Sequence, residues 1–502
     1  MTKVTTLLSN LSWIKPPLFS NLSRWICRPK RSIFLLILIM LASLLRTTVA
    51  AYTSDDAYIA FTYARNFSRG EGLTFNPGEQ VYGFTNPIWT ILISLPFSLL
   101  PQNQAILANK LLALVFSITT ILLLYYVILE ETQHNEAIAR LFALLWAIEP
   151  WDVAEAMNGL EAPLLCFLLL TVFHLARQRR WIWVGWGMGI AMLTRPEAFL
   201  LLVFVLGWLL VTKRESVRQL VNCIMSFTLV ILPWYAFAYL TYHSLLPNSF
   251  FEKANFSLTS ARHILTQLLF TGANYALPYA AIAITLWQAH HWKQEGRELA
   301  ILFLAWSIIM IVYYSCIPSF VRYFVPPFLI GLACWAQPLW TLFEKAAYRE
   351  TEQGKQIPRL FAVLALGFLL MRGGLGSAAN LYFYNLKAQG FYNIHVDTAR
   401  WIAQNTSPDA VIATHDVGAL GFYSDRLILD TTGLVSNDLR AFHGTPQEWL
   451  AARRPDYLFV CLNWVGSFPL TLDCKLEPVL TRQGYLSLRT PEATFVLYRC
   501  YW

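Results

Sequence analysis

The chain has 502 residues, of which 56% are hydrophobic, 15% aromatic and only 14% charged. A soluble domain carries roughly 25% charged residues, so this composition argues against a soluble enzyme and favours a protein with many membrane spans. The formal net charge is +8, but the basic residues fall in short loops between apolar runs, which indicates membrane topology rather than nucleic-acid binding.

The N-terminal segment, residues 1–32, is basic and precedes the first apolar run. Its basic residues are Lys3, Lys15, Arg24, Arg28, Lys30 and Arg31. Because positive charges next to a span stay in the cytoplasm, we predict a cytoplasmic N-terminus. Thr48-Val49-Ala50 also resembles a signal-peptidase site, but the segment before it is too long for a secretory leader.

Eleven apolar runs approach the length of about 20 residues that spans a bilayer as a helix. They lie near 33–50, 105–129, 137–150, 160–177, 181–194, 197–212, 218–241, 266–290, 298–317, 320–342 and 358–378. With the N-terminus inside, all basic loops are cytoplasmic only if the apolar stretch 87–100 does not cross. We therefore predict that this stretch, interrupted by Pro96, lies on the outer face, and that a reporter at 345–357 is cytoplasmic.

The C-terminal tail differs in composition from the rest of the chain. Segments 411–416, 426–430 and 456–461 predict short apolar strands, and 394–405 predicts a helix. We therefore predict a mainly α polytopic membrane protein, with a transmembrane domain at 33–384 and an extracytoplasmic α/β domain at 385–502 that forms a cap over the external cavity. Among Cys461, Cys474 and Cys500, one disulfide is possible, leaving one thiol.

The first external loop, residues 51–104, opens with two adjacent acids, Asp55 and Asp56. Ser54 can cap a helix whose first turn holds both acids, and the helix dipole favours carboxylates there, which is a purely structural interpretation. Acids at the rim of a membrane protein are, however, costly to desolvate and often functional. Asp55 shares the more polar helix face with Tyr58 and Arg65, so Asp55 is the better candidate to point into an aqueous cavity.

Further acids follow in the second external loop. We expect Asp152 and Glu155 to be solvated, whereas Glu161 enters the next span and is a stronger candidate for a functional role. Asn76 lies in the turn-rich part of the first loop. Asp416 follows a predicted strand of the tail, where it is suited to cap a helix.

Three cations fall on the same predicted side as these acids. Arg195 lies close to Glu197 between two apolar runs, where a structural ion pair is the simpler interpretation. Lys253 lies in an external loop and Arg322 at the start of a span, and surface exposure and snorkelling are their ordinary explanations.

Carboxylates and cations beside lipid suit the transfer of a sugar from a polyprenyl-phosphate carrier. A carboxylate can act on the acceptor hydroxyl or on the sugar, and cations stabilise the phosphate leaving group. We therefore expect Asp55 and Asp56 to be catalytic, and Lys253, Arg322 and Arg195 to bind the donor phosphate. The expected substrate-binding residues are Tyr58, Arg65, Asn76, Glu161 and Asp416. The sequence predicts no metal ligands, and whether the reaction needs a divalent cation stays open.

DDAYIAFTYARN followed by GLTFNPGEQVYGFTNPIW resembles the first external loop of GT-C glycosyltransferases, particularly the branch of the mycobacterial terminal β-(1→2)-arabinofuranosyltransferase. The segments NGLEAPL, TRPEA, LPNSFFEKAN, RYFVP and DVGALGFYS follow in the same order, so the resemblance covers about residues 40–435. It implies a GT-C fold, an extracytoplasmic cap, a polyprenyl-phosphate-sugar donor such as a pentofuranose, and a glycan or lipid acceptor.

Within this resemblance, the family's catalytic aspartate corresponds to Asp55 or Asp56 in the first external loop. The order Tyr63-Ala64-Arg65 departs from the Arg-Tyr order common in the family, which leaves the role of Arg65 open. The resemblance also implies a protein of the cytoplasmic membrane with its active site on the extracytoplasmic face.

A lipid-linked-saccharide flippase or other transporter is the alternative from another functional class. Such a protein is expected to show paired repeats, broken helices at the midplane and ionisable residues deep within its spans. Here the ionisable residues cluster at one rim, which favours an enzyme. A scaffold that kept the fold without catalysis stays open from sequence.

Overall fold

The computed structural model describes residues 29–212, 215–250, 261–288, 294–316, 321–344, 356–464, 472–487 and 490–502. Helices form most of this part of the chain, and a small mixed sheet lies near the C-terminus. The predicted class, a mainly α protein with a C-terminal α/β unit, is therefore confirmed.

The helices of the described residues follow the predicted apolar runs closely. Up to residue 391 they are α1 (Pro29–Thr47), α2 (Asp55–Ser68), α3 (Pro87–Leu99), α4 (Gln102–Glu131), α5 (Glu136–Ala147), α6 (Pro150–Glu155), α7 (Ala162–Arg177), α8 (Trp181–Thr194), α9 (Phe199–Thr212), α10 (Val217–Tyr242), α11 (Ala261–Gln288), α12 (Gln294–Cys316), α13 (Val325–Glu344) and α14 (Gln356–Phe391). The stretch predicted to lie on the outer face forms its own short helix, α3.

Five of these helices, α4, α10, α12, α13 and α14, are long and apolar enough to cross a membrane. Their outer surfaces expose large apolar side chains, such as Val115 on α4, Leu240 on α10 and Leu375 on α14. Exposed apolar residues at this density are typical of a lipid-facing surface. The protein is therefore a multi-pass membrane protein.

Glycines determine how closely α8 and α10 pack. A Cβ atom on Gly185 would lie 2.1 Å from the Ser226 hydroxyl oxygen, and one on Gly189 would lie 2.7 Å from Cβ of Val230. Only glycine allows this approach of the two helices. Because α8 ends at Thr194, the packing sets the position of Arg195, one of the predicted site residues.

Ion pairs connect the basic loops at one end of the helix bundle. Arg177, at the end of α7, binds Glu131 at the end of α4, and Arg179 lies 3.3 Å from Glu215, which precedes α10. Arg195 follows α8 and therefore lies at the opposite end. This arrangement agrees with the predicted alternation of the basic loops.

Reporter fusions can establish which end faces the cytoplasm. We expect a reporter fused after Glu215 to be cytoplasmic, because this loop pairs with the basic end of the bundle. A reporter after Trp502 should be extracytoplasmic, as should one inserted after Asp425. Alkaline phosphatase activity marks an extracytoplasmic position, and fluorescence of green fluorescent protein marks a cytoplasmic one. An extracytoplasmic signal at Glu215 would contradict the predicted orientation.

The C-terminal unit contains a five-stranded sheet with strand order β2-β1-β3-β5-β4. Its elements are a π-helical turn (Tyr392–Val396), α15 (Asp397–Asn405), β1 (Val411–Thr414), α16 (Val417–Ser424), β2 (Leu427–Asp430), α17 (Asn437–Ala441), α18 (Pro446–Arg453), β3 (Tyr457–Cys461), β4 (Lys475–Gly484) and β5 (Ala493–Tyr501). Strands β1, β2 and β3 are parallel, whereas β5 is antiparallel to β3 and to β4.

The three predicted strands correspond to β1, β2 and β3, but sequence analysis missed β4 and β5. Strand β4 is at the edge of the sheet, contains Pro478 and is largely exposed, so it lacks the apolar pattern of an inner strand. The predicted helix 394–405 is also shorter than expected, because its first residues belong to the π-helical turn and α15 begins at Asp397.

Two of the three tail cysteines lie together. Cys474 immediately precedes β4 and packs with Cys500 of β5, and burial together with this thiol neighbour raises the pKa of Cys500 to about 12. Cys461 instead donates to the side-chain oxygen of Asn463 at 3.8 Å. If one disulfide forms in this unit, the structure therefore favours Cys474 with Cys500.

Treatment of the purified protein with diamide should join Cys474 to Cys500, with the two thiol hydrogens passing to the diamide. Peptide mass spectrometry without reduction should find this cross-link and show Cys461 as a free thiol. In a Cys474→Ser variant, Cys500 should stay reduced. A cross-link from Cys461 to either partner would contradict the packing of the sheet.

Candidate functional site

The two acids that begin α2 make different contacts. The Asp55 carboxylate accepts hydrogen bonds from the backbone N–H groups of Gly418, at 3.0 Å, and Ala419, at 2.8 Å. These amides belong to the first turn of α16, so Asp55 caps a helix of the C-terminal unit. Asp55 is therefore held by the C-terminal unit, its catalytic role stays a prediction, and the side chain of Ser54 makes no cap on α2.

Asp416 occupies the residue before α16, but its side chain does not cap that helix. It lies instead 2.9 Å from the ring of His395 and 3.6 Å from that of His415. The predicted capping role of Asp416 is therefore wrong, because Asp55 already satisfies the free amides of α16. Although burial acts in the opposite direction, the hydrogen bond and charge of His395 hold the pKa of Asp416 below its usual value.

Three predicted substrate-binding residues attach the first external loop to the C-terminal unit. Arg65 donates to the carbonyl of Phe422 at 2.6 Å. The hydroxyl oxygens of Tyr58 and Tyr423 lie 3.4 Å apart. Asn76 is buried and bonds both the carbonyl, at 3.0 Å, and the N–H, at 3.1 Å, of one residue of β2, Ile428. These contacts give Arg65, Tyr58 and Asn76 a role in holding the two parts together.

The contact between Asp55 and α16 should depend on pH. Burial, followed by the charge of Asp416, raises the pKa of Asp55 from 3.8 to about 7, while His395 opposes this rise. A folded-state pKa above the usual value means that the folded protein holds the proton more tightly. Stability from this group is therefore present at low pH and lost as the pH rises from about 4 through about 7.

We expect the melting temperature of the wild-type protein to fall between pH 5 and pH 8 more steeply than that of an Asp55→Asn variant. Differential scanning calorimetry of the detergent-solubilised protein measures both slopes. Asp425→Asn is a suitable control, because Asp425 lies near the same interface but its side chain is 63% exposed. Equal slopes of melting temperature against pH in Asp55→Asn and the wild type would contradict the role of Asp55 in this pH dependence.

Asp56 turns away from the C-terminal unit and pairs with a distant arginine. Its Oδ2 atom lies 2.5 Å from the guanidinium of Arg322, and the Asp56 side chain is 42% exposed whereas that of Arg322 is 11% exposed. Arg322 also donates to the hydroxyl of Tyr323 at 3.3 Å. Arg322 therefore does not simply snorkel, since its charge faces an accessible carboxylate.

Arg195 lies beside this pair in a network of acids. Its guanidinium is 2.8 Å from Glu161 and 2.9 Å from Glu197. Glu161 also accepts from the amide of Asn86 at 2.7 Å. The predicted ion pair with Glu197 is therefore present, and it is extended by Glu161. Because the ring centroid of Tyr323 lies 4.4 Å from the guanidinium carbon of Arg195 and 5.1 Å from that of Arg322, this ring connects the two arginines.

A narrow cavity, partly open to the outside, lies next to these arginines. Its lining residues are Leu165, Leu169, Arg195, Glu197, Ala198, Trp306, Met310, Tyr314, Arg322, Tyr323, Pro326 and Pro327. Apolar walls with two arginines at one side suit an amphiphile that has an apolar chain and an anionic head.

The prediction that the second external loop is solvated is wrong for both Asp152 and Glu155, which are buried. Asp152 pairs with Arg46 of α1, and Glu155 accepts a hydrogen bond from Asn158. Burial raises the pKa of Glu155 to about 7, although the charges of Arg322 and Lys387 oppose the rise. For Asp152, pairing with Arg46, 106 residues earlier, offsets the cost of burying the carboxylate.

The structure thus brings Asp56, Arg322, Arg195 and Glu161 together at one rim. Lys253 lies outside the described residues. Sequence analysis missed Tyr323, Glu155 and Lys387 as neighbours of the site, although Tyr323 directly follows Arg322. Within the described ranges, no group of three or more His, Cys, Asp or Glu residues is placed to hold a metal ion.

Two protein families match parts of the chain. Residues 86–240 match the PMT_2 family, described as dolichyl-phosphate-mannose-protein mannosyltransferase, and residues 382–496 match DUF8728, a domain of unknown function. The second match begins close to the predicted boundary of the cap domain at residue 385. The comparison with curated proteins gave no match.

Solved structures match over most of the chain. ArnT from Cupriavidus metallidurans, bound to undecaprenyl phosphate, is 16% identical, with a TM-score of 0.58 over 92% of this chain and 97% of that chain. AglB from Archaeoglobus fulgidus, an oligosaccharyltransferase in complex with an inhibitory peptide and a dolichol-phosphate, is 12% identical, with a TM-score of 0.58 over 86% of this chain and 70% of that chain.

The arabinofuranosyltransferase AftD from Mycobacteria is 15% identical over 93% of this chain and 41% of that chain. Its TM-score of 0.49 is too low to support the branch that the sequence segments suggest. The agreement with ArnT and AglB concerns the whole arrangement of helices. On these grounds the chain has the same fold as these structures, the GT-C fold that its sequence predicted.

Proposed function

We propose that this protein is a membrane-embedded glycosyltransferase that moves a sugar from a polyprenyl-phosphate donor to a glycan or lipid acceptor. The observation that carries the proposal is the accessible Asp56 carboxylate, held by Arg322 at the edge of a cavity with apolar walls and two arginines. The ArnT structure is bound to undecaprenyl phosphate and the AglB structure to a dolichol-phosphate, which supports a lipid-linked donor here.

The reaction breaks the bond between the anomeric carbon of the sugar and the phosphate oxygen. A new bond forms between that carbon and the acceptor oxygen, and the acceptor hydroxyl loses its proton. Asp56 is the group that we assign to this step, either as the base that takes the proton or as the nucleophile that first attacks the carbon. Its partial exposure and its ion pair with Arg322 keep the carboxylate available and oriented.

Arg322 and Arg195 also stabilise the phosphate group of the donor. The donor is a phosphodiester with one negative charge, and its leaving group is a phosphomonoester that approaches two. Cations near the breaking bond therefore gain interaction in the transition state, which lowers the barrier. Glu161 and Glu197 orient Arg195 through their ion pairs.

We place this site on the extracytoplasmic face of the cytoplasmic membrane, with residues 385–502 as a cap that helps to hold the acceptor. The parity of the basic loops supports the side, and the contacts of α2 with α16 support the cap. As the first sugar to test we propose a pentofuranose such as arabinofuranose, because the sequence segments resemble that branch.

The test is incubation of the purified protein in lipid nanodiscs with synthetic polyprenyl-phosphoryl sugars. Mass spectrometry should detect free sugar or a glycosylated acceptor together with polyprenyl phosphate. Wild-type protein that binds these lipids without consuming them, and that moves them across the bilayer of proteoliposomes, would establish the flippase alternative instead.

A further inference from the structure

A second cavity, of about 190 Å³ and partly open to the outside, lies where the first external loop meets α8, α9 and α10. We call it the aromatic cavity, because its lining includes Tyr82, Phe199, Trp234, Tyr235 and Phe250. Within the described part of the chain, none of its lining residues is charged. The space holds several water molecules, so a small polar group of a ligand can enter it.

The walls of the aromatic cavity are fixed by contacts among buried aromatic residues. Trp234 donates from Nε1 to the hydroxyl oxygen of Tyr82 at 2.9 Å. The Tyr82 ring stacks on that of Tyr242, with the two centroids 5.0 Å apart. The cavity is therefore formed before a ligand arrives, which lowers the entropic cost of binding.

Hydroxyl groups give this cavity a polar side. The Tyr82 hydroxyl accepts from Trp234, so its own hydrogen is left to donate, and Thr85 and Tyr235 bring two further hydroxyl groups to the lining. An ion here would lack a counter-charge, and a purely apolar chain would remove these hydroxyls from water without replacing their hydrogen bonds. A neutral sugar meets both requirements, since its ring carbons can pack on aromatic faces while its hydroxyls bond to those of the protein.

The aromatic cavity and the narrow cavity beside the arginines share a wall. Pro196 lines the aromatic cavity, whereas its two neighbours in the chain, Arg195 and Glu197, line the narrow one. A ligand in the aromatic cavity is therefore separated from the candidate donor site only by the segment 195–199.

The C-terminal unit holds another wall of the aromatic cavity in place. Pro247 lines the cavity, and the backbone N–H of the next residue, Asn248, donates to the carbonyl of Tyr82 at 2.8 Å. The Asn248 side chain donates to the carbonyl of Leu434 at 3.2 Å and to the side-chain oxygen of Asn437 at 2.7 Å. The aromatic cavity thus lies between the candidate donor site and the C-terminal unit.

We propose that the aromatic cavity binds one neutral sugar unit of a glycan acceptor. This inference rests on the proposed function and names the class of acceptor for it. The two cavities then separate the substrates by charge. The anionic donor lies on the arginine side of the segment 195–199, and the uncharged acceptor lies on its aromatic side.

The first test measures the binding of three methyl glycosides to the full-length protein in nanodiscs, by saturation-transfer nuclear magnetic resonance. Methyl arabinofuranoside and methyl mannopyranoside are neutral, whereas methyl glucuronoside carries a carboxylate. The neutral probes should bind, and the Kd of the anionic probe should be roughly tenfold higher or more, because its charge would be buried without a partner. Tighter binding of the anionic probe would overturn the inference.

Removal of one hydroxyl tests the polar side of the cavity. Tyr235→Phe keeps the ring and should raise the Kd for methyl mannopyranoside roughly three- to tenfold, the range for one neutral hydrogen bond. Tyr239→Phe is the matched control, because Tyr239 lies one turn further along α10, is 59% exposed and is not part of the lining. This control variant should bind the probe as the wild type does.

A larger side chain tests the position of the ligand. Leu246 lines the cavity, so Leu246→Trp should fill it and abolish the binding of both neutral probes. The neighbouring Leu245 is 51% exposed and lies outside the lining, which makes Leu245→Trp the matched control. Both variants should bind polyprenyl phosphate with wild-type affinity, which distinguishes a filled cavity from a damaged fold.

Octyl mannopyranoside distinguishes a sugar from an apolar chain as the occupant. It should respond to each substitution as the methyl glycoside does. Loss of octyl mannopyranoside binding in Leu246→Trp, with no effect of Tyr235→Phe on either probe, would show that the cavity holds an alkyl chain and would overturn the inference. Unchanged binding of the neutral probes in Leu246→Trp would overturn it as well. Wild-type protein that binds neutral glycosides in this cavity but transfers no sugar would refute the proposed function and leave the sugar site established.

Discussion

Replacing Asp56 by Asn is expected to lower kcat for sugar transfer by roughly a hundred- to ten-thousandfold, the range for loss of a positioned acid–base group. The amide keeps the shape of the side chain and can still hydrogen-bond to Arg322, but it can neither take a proton nor attack a sugar as a carboxylate does. The measurement is single-turnover transfer from a synthetic polyprenyl-phosphoryl sugar, followed by mass spectrometry.

The control for this variant is Asp425→Asn. Asp425 is also a carboxylate paired with an arginine, since it lies 3.3 Å from Arg65, but it belongs to the C-terminal unit and its side chain is 63% exposed. Its backbone is left-handed, with φ of 54°, a conformation that Asn tolerates. Asp425→Asn should keep nearly full activity. An Asp56→Asn variant that folds and transfers sugar at the wild-type rate would remove Asp56 from the chemistry.

Replacing Arg46 by Met is expected to cost about 3–5 kcal/mol of unfolding free energy, because it leaves a buried carboxylate without its partner. The Arg46 side chain is fully buried and that of Asp152 is 2% exposed. Arg46 also donates to Ser117 at 2.7 Å and to the carbonyl of Ala147 at 2.9 Å, so one guanidinium joins α1, α4 and the end of α5. Equilibrium unfolding in mixed micelles measures the loss.

A second substitution distinguishes the effect of losing the ion pair from general damage to the structure. Adding Asp152→Leu to Arg46→Met should recover much of the stability, since removing both charges eliminates the unpaired buried group. Arg140→Met is the matched control, because Arg140 pairs with Glu136 one helical turn away and is 35% exposed. This surface variant should lose less than about 1 kcal/mol. A double variant as unstable as Arg46→Met alone would contradict the explanation.

The sequence by itself determined most of the helices. A membrane span is specified locally, because about 20 consecutive apolar residues are required wherever it lies and every backbone group bonds within its own helix. Strands β1 to β3 were also predictable, as short apolar runs between turns. Edge strand β4 was not, since its stability depends on its partner β5 rather than on a pattern of its own.

The direction of each acid was decided only by the tertiary structure. Asp55 and Asp56 are neighbours on α2 and point about 100° apart, so a partner that covers one of them leaves the other accessible. That partner is α16, more than 360 residues later in the chain. Likewise, Asp152 is buried because Arg46, 106 residues earlier, reaches it. Electrostatic partners act through space, and a local sequence pattern carries no information about which distant helix supplies them.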